Sequence, residues 1–140
     1  MLEPISFIGV IALAVWLTLV GVIMALTPEW ALHLLRHAAS TLLVHVIEMT
    51  VRFFFGMALI LASKATLYPQ AVFYIGFFLT VSSVLILVLP RRWHAAYAVW
   101  WADRLPAGVV RVFAVFAFVG GALILYVSQN ILCALNLFCA

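Results

Sequence analysis

The sequence predicts an all-α, polytopic integral membrane protein, with residues 1–140 forming a single four-helix membrane domain. Hydrophobic residues make up 69% of the chain, charged residues make up 8%, and the mean hydropathy is +1.33. A soluble domain carries about 25% charged residues, so this composition excludes an ordinary soluble protein. Four apolar segments are each close to the roughly 20 residues that a helix needs to cross a bilayer. Because lipid cannot satisfy exposed backbone groups, these segments are expected to be helical.

The predicted transmembrane helices cover residues 5–26, 42–63, 71–89 and 108–127. The first segment is longer than the core of a signal peptide and has no basic residues before it. We therefore expect it to be retained as a membrane span.

The basic residues predict the orientation of these spans. Four crossings place residues 27–41 and 90–107 on one side, and both termini with residues 64–70 on the other. The first side carries Arg36, Arg91, Arg92 and Arg104, whereas the second carries Lys64. Since cytoplasmic loops collect Lys and Arg, both termini are predicted to face outward. The compact format suggests the inner membrane of a bacterium, with periplasmic termini.

The two connections on the basic side are predicted to be interfacial amphipathic segments. Thr27, Pro28 and Glu29 combine a capping hydroxyl, a proline at the first helical position and an acid in the first turn. A straight helix over residues 28–63 would be about 54 Å long, so a bend is expected near Ser40 and Thr41. Aromatic and basic side chains are predicted to anchor both segments at the membrane surface. These anchors are Trp30, Arg91, Arg92, Trp93, Trp100, Trp101 and Arg104.

The order of features in the first half of the chain resembles that in the second half. Each half contains a span, an interfacial segment that begins at a proline, and a second span that contains a Val-Arg pair followed by aromatic residues and glycine. A tandem pair of two-helix units would explain this order. The arginine-to-glycine spacing differs between the halves, so an unduplicated chain remains an alternative.

Ionisable residues inside the second span are the main candidates for a functional site. Thr41, His45, Glu48, Arg52 and Gly56 fall along one stripe of a helix with 3.6 residues per turn. The stripe is expected to avoid lipid, because a charge at the membrane centre costs about 2.5–3.5 kcal/mol. An intrahelical ion pair between Glu48 and Arg52 is one interpretation. A docking face for a partner subunit and a relay for ions or substrate are the alternatives.

The remaining histidines and cysteines form weaker candidates. His33 and His37 lie four residues apart, a spacing compatible with a metal, but the sequence supplies no further ligand at a defined spacing. His45 and His94 are weak candidates for haem or pigment ligands. An oxidising periplasm would permit a disulfide between Cys133 and Cys139, whereas a helical tail would point these cysteines apart. No metal is predicted, and the cofactor is left unknown.

Three functions remain compatible with the sequence. The first is an accessory or scaffolding subunit of a larger membrane complex, which would contact partner subunits and lipid through aromatic and small-residue helix faces. The second is a small oligomeric carrier or channel that uses Glu48 and His45. The third is a haem- or pigment-binding membrane subunit. The sequence shows neither a nucleophile with a base nor a nucleic-acid-binding pattern, so an enzyme and a nucleic-acid partner are not expected. The small-residue helix faces of the first hypothesis consist of Ala14, Thr18, Gly21, Ala25, Gly76, Thr80, Ser83, Gly120 and Gly121.

Overall fold

The computed structural model describes residues 2–37 and 40–134, and within these residues it is 91% helical and contains no strand. This confirms the predicted all-α class. The α-helices in the described part of the chain are α1 (Leu2–Leu26), α2 (Pro28–His37), α3 (Leu42–Ala62), α4 (Pro69–Val88), α5 (Arg91–Arg104), α6 (Ala107–Val127) and α7 (Gln129–Ala134), and a 3₁₀ turn spans Ser63–Ala65.

Four of these helices, α1, α3, α4 and α6, are long and apolar enough to cross a membrane. They coincide with the predicted spans to within a few residues at each end. The four helices therefore confirm a multi-pass membrane protein.

The helices α2 and α5 occupy the two predicted connections. Helix α2 is amphipathic as predicted, whereas the prediction was wrong for α5, because its polar and apolar side chains are mixed around the helix. Helix α2 carries Glu29 in its first turn and both Arg36 and His37 in its last turn, which complements the helix dipole at each end. The expected bend after α2 is also present. Thr41 is the N-cap of α3, and its hydroxyl accepts a hydrogen bond from the Val44 amide at 3.2 Å.

The four spans pack side by side in the order α4, α3, α1, α6. Helix α1 contacts both α3 and α6, and α3 contacts both α1 and α4, so α4 and α6 form the two ends of the row. An open row leaves each span with a broad apolar face. Such faces are stable in lipid, because no water is present to penalise them.

Small residues make the closest contacts between neighbouring spans. A Cβ atom added at Gly76 in α4 would lie 2.7 Å from the carbonyl oxygen of Gly56 in α3. A Cβ atom added at Gly121 in α6 would lie 3.0 Å from the carbonyl oxygen of Ala14 in α1. Several of the small residues singled out in the sequence therefore serve contacts inside the protein.

Different contacts hold the spans together on the two sides of the membrane domain. A hydrophobic core lies on the side of the termini, where residues of α1, α3, α4 and α7 pack around Leu59 and Ile131. On the opposite side, the α2/α5 side, α2 packs against α5. There Arg36 Nε lies 3.0 Å from Asp103 Oδ1, and Arg91 Nη1 donates to the Ser40 carbonyl at 2.9 Å. The helices α2 and α5 thus form a layer across the ends of the spans.

Candidate functional site

Two of the open cavities in the half of the protein nearest α2 and α5 are bordered by ionisable side chains of α3. The larger has a volume of about 840 Å³ and is lined by α1, α2, α3 and one residue of α4. The smaller has a volume of about 600 Å³ and is lined by α2, α3, α4, α5 and α6. Both volumes fall in the range of about 300–1,000 Å³ that is usual for small-molecule sites.

Glu48 and Arg52 of α3 border both cavities. The expected ion pair between them is not formed, because the one ion pair within 4 Å among the described residues joins Arg36 to Asp103. The spacing of four residues brings two side chains within reach, but it does not oblige them to pair. The two groups of opposite charge are therefore both available to a third group.

A pair of imidazoles lies beside these two side chains. His45 of α3 is only 2% exposed, and its Nδ1 lies 3.2 Å from Nδ1 of His94 in α5. One imidazole must donate and the other accept in this hydrogen bond, so the pair can hold one proton between these two nitrogens. Nε2 of His45 is buried and has no hydrogen-bond partner. The contact connects the transmembrane helix α3 directly to the surface helix α5.

The surroundings of His94 favour its neutral form. Burial lowers the pKa of His94 below the ordinary value of 6.5; Glu48 opposes this shift, and His45 and Arg52 add to it. A neutral imidazole suits the observed contact, because two charged imidazoles would each present a proton at Nδ1.

The structure places the other predicted histidines at the surface. The rings of His33 and His37 lie 4.2 Å apart between centroids, and Nδ1 of His37 lies 2.8 Å from the His33 carbonyl oxygen. Within residues 2–37 and 40–134, no group of three or more His, Cys, Asp or Glu side chains is placed to hold a metal ion. His37 instead lines the edge of the larger cavity.

The contact between His45 and His94 bears on the haem interpretation. Axial histidines of a haem lie on opposite faces of the macrocycle. Two rings whose Nδ1 atoms are 3.2 Å apart leave no space for a macrocycle between them. These two histidines therefore do not suit a haem held between them.

The residues predicted to be membrane-surface anchors lie on α2 and α5. Trp30 is on α2, and the other six are on α5. Arg104 stacks over the Trp100 ring at 4.1 Å from its centroid, a cation–π contact. The predicted disulfide involves Cys139, which lies outside the described residues, so it stays a prediction.

The fold and the site together define a class: a four-span helical membrane protein with ionisable groups beside cavities in its spans. No protein-family model, no curated protein and no solved structure matches the chain.

Proposed function

We propose that the protein is a small membrane carrier that binds its solute in the two cavities. The observation that supports this most directly is that Glu48 and Arg52 border both cavities and do not pair with each other. This adopts the carrier hypothesis from the sequence and adds Arg52 and His94 to the residues it named.

The energetic argument starts from the cost of placing ionisable groups in a span. Each charge within the membrane costs about 2.5–3.5 kcal/mol even on lenient scales, and a pair of neighbouring opposite charges would offset part of that cost. Glu48 and Arg52 forgo such pairing although they lie within one helical turn of each other. A bound solute that supplies the missing partners would account for both residues.

The carrier proposal predicts that a double variant, Glu48→Gln with Arg52→Leu, loses its solute but still folds. Removing both charges together leaves no unpaired charge behind, so insertion and accumulation should be unchanged. The measurement is native mass spectrometry of the protein extracted in a gentle detergent. Wild type is expected to retain an extra bound mass, and the double variant is expected to lose it.

A matched control removes the same charges elsewhere. Glu29 and Arg92 are exposed and border neither cavity, so Glu29→Gln with Arg92→Leu should retain the bound mass. Retention of the mass by the Glu48 and Arg52 variant as well would contradict the carrier proposal.

An accessory subunit is the second candidate function, as the sequence first suggested. The observation that favours it is the aromatic surface of α4, an end helix of the row, where four aromatic side chains are exposed: Phe73, Tyr74, Phe77 and Phe78. Small-residue positions on the spans are already used inside the protein, so a partner subunit would dock on the aromatic surface instead. Co-purification of defined membrane subunits in gentle detergent would favour this candidate. Visible absorption bands in the same sample would favour the haem or pigment alternative.

The orientation is also a proposal, with α2 and α5 cytoplasmic and both termini in the periplasm of a bacterium. The arginines of the α2/α5 side support it through the preference of cytoplasmic loops for positive charge. A periplasm-dependent reporter fused after Ala140 is expected to be active, and the same reporter fused after Arg92 is expected to be inactive. The reverse pattern would mean that the charge bias does not set the orientation.

A further inference from the structure

The charges that border the cavities are opposite in sign and close together. Glu48 and Arg52 are both half-buried and lie four residues apart on α3, which places their Cβ atoms about 5–6 Å from each other. A cationic solute would satisfy the carboxylate alone, and an anionic solute would satisfy the guanidinium alone. A solute that carries both charges satisfies both.

Apart from Glu48, Arg52, His37 and Ser40, the side chains that line the larger cavity are apolar. Its wall includes Leu13 and Leu17 of α1 and Phe55 of α3. These side chains offer no hydrogen bonds, so they favour a hydrocarbon portion of the solute next to its charged portion.

The edge of the larger cavity faces the lipid side of the spans. Trp16 of α1 and Ile47 of α3 line the cavity and are 54% and 52% exposed, respectively. Exposed apolar side chains at the rim of a cavity within the spans provide an entrance from the hydrocarbon. An amphipathic molecule that is already dissolved in the membrane can use this entrance.

We infer that the solute is an amphipathic zwitterion, with an ammonium group beside Glu48, a phosphate or carboxylate group on Arg52, and a hydrocarbon chain in the larger cavity. This inference rests on the carrier proposal and names its class of solute. Guanidinium binds planar or tetrahedral oxyanions through parallel hydrogen bonds, and carboxylate accepts hydrogen bonds from an ammonium group.

The experiment uses dodecyl chains that carry bromine, a quencher of tryptophan fluorescence, with different headgroups. The full chain is purified in a non-ionic detergent and titrated with a zwitterionic N-alkylglycine head, a cationic primary ammonium head, an anionic carboxylate head or a neutral maltoside head, so that both ammonium heads carry N–H donors. Trp16 reports entry into the larger cavity, and Trp16→Phe identifies its share of the quenching.

We expect saturable quenching by the zwitterion at a concentration about tenfold or more below that of the other three probes, since each charged hydrogen bond is worth about 1.5–3 kcal/mol. In the double variant Glu48→Gln with Arg52→Leu, all four probes should quench at the same concentration. In Glu48→Gln alone, the zwitterion should bind no better than the anionic probe.

The contrary outcomes separate the two proposals. Wild type could show saturable quenching with no headgroup preference, or with a preference for the anionic probe. Either result would overturn the inference of a zwitterionic solute and leave the carrier proposal in place. Displacement of the probe by N-methylglycine, which has the same charged groups and no long chain, would overturn the inference of a hydrocarbon chain and indicate a water-soluble zwitterion. Absence of saturable quenching by every probe would overturn both proposals.

Discussion

Replacing Gly76 with leucine is expected to destabilise the folded protein strongly. A Cβ atom at this position would lie 2.7 Å from the carbonyl oxygen of Gly56 and 2.9 Å from the amide nitrogen of Ile60. Both are backbone atoms of α3, so they cannot turn aside as the end of a side chain can. Overpacking of a tight contact costs about 1–3 kcal/mol, and a leucine against backbone belongs at or above the upper end of this range.

The measurement is the free energy of unfolding of the purified protein in mixed micelles with increasing fractions of a denaturing detergent. Gly108→Leu is the matched control, because nothing lies within 4 Å of a Cβ atom added at Gly108. The control should change the unfolding free energy by less than about 0.5 kcal/mol, as is usual for open positions. Equal losses in the two variants would contradict the close crossing of α3 and α4.

The fold was predictable because it depends on properties that a single segment carries by itself. The length and hydropathy of each span, and the proline that begins α2, act locally and need no knowledge of the remaining chain. The bend before α3 was predictable for the same reason. A long helix from residue 28 onward would overshoot the membrane, and Thr41 supplied a capping hydroxyl where a new helix had to begin.

The site was predictable only in part, since it depends on which segments meet. The predicted stripe on α3 contains His45, which is buried, and Glu48 and Arg52, which border both cavities. The sequence did not identify His94 as the partner of His45, because 49 residues separate them and no periodicity indicates how α5 lies beneath the spans. The sequence also did not predict the packing order of the spans, and this order determines where the cavities lie.

The absence of the expected ion pair between Glu48 and Arg52 shows the limit of rules for isolated helices. A spacing of four residues is favourable by about 0.2–0.5 kcal/mol on a solvated helix, which is a small preference. Tertiary structure can override a preference of this size, and Glu48 and Arg52 form no ion pair within 4 Å. A spacing rule therefore identifies residues that can reach each other and leaves their actual partners to the packing.

Lowering the pH from about 8 to about 5 is expected to loosen α5 from α3. Burial lowers the pKa of His94 below its ordinary value of 6.5, with His45 and Arg52 of α3 adding to this shift and Glu48 opposing it. The imidazole of His94 therefore takes up a proton more readily when α5 is separated from α3 (undocked) than when α5 is packed against it (docked). Docking is strongest above about pH 6.5 and weakens as the pH falls below that value, until the docked imidazole is protonated as well.

Tryptophan quenching by aqueous iodide can measure this loosening, because three of the five tryptophans, Trp93, Trp100 and Trp101, lie on α5. Quenching is expected to be greater near pH 5 than near pH 8. His94→Gln is the control, since an amide stays neutral across this range and can still hydrogen-bond to His45. The variant should show little change in quenching between the two pH values. An equal pH response in wild type and variant would mean that another group controls how α5 docks, and the paired imidazoles would then be a static contact.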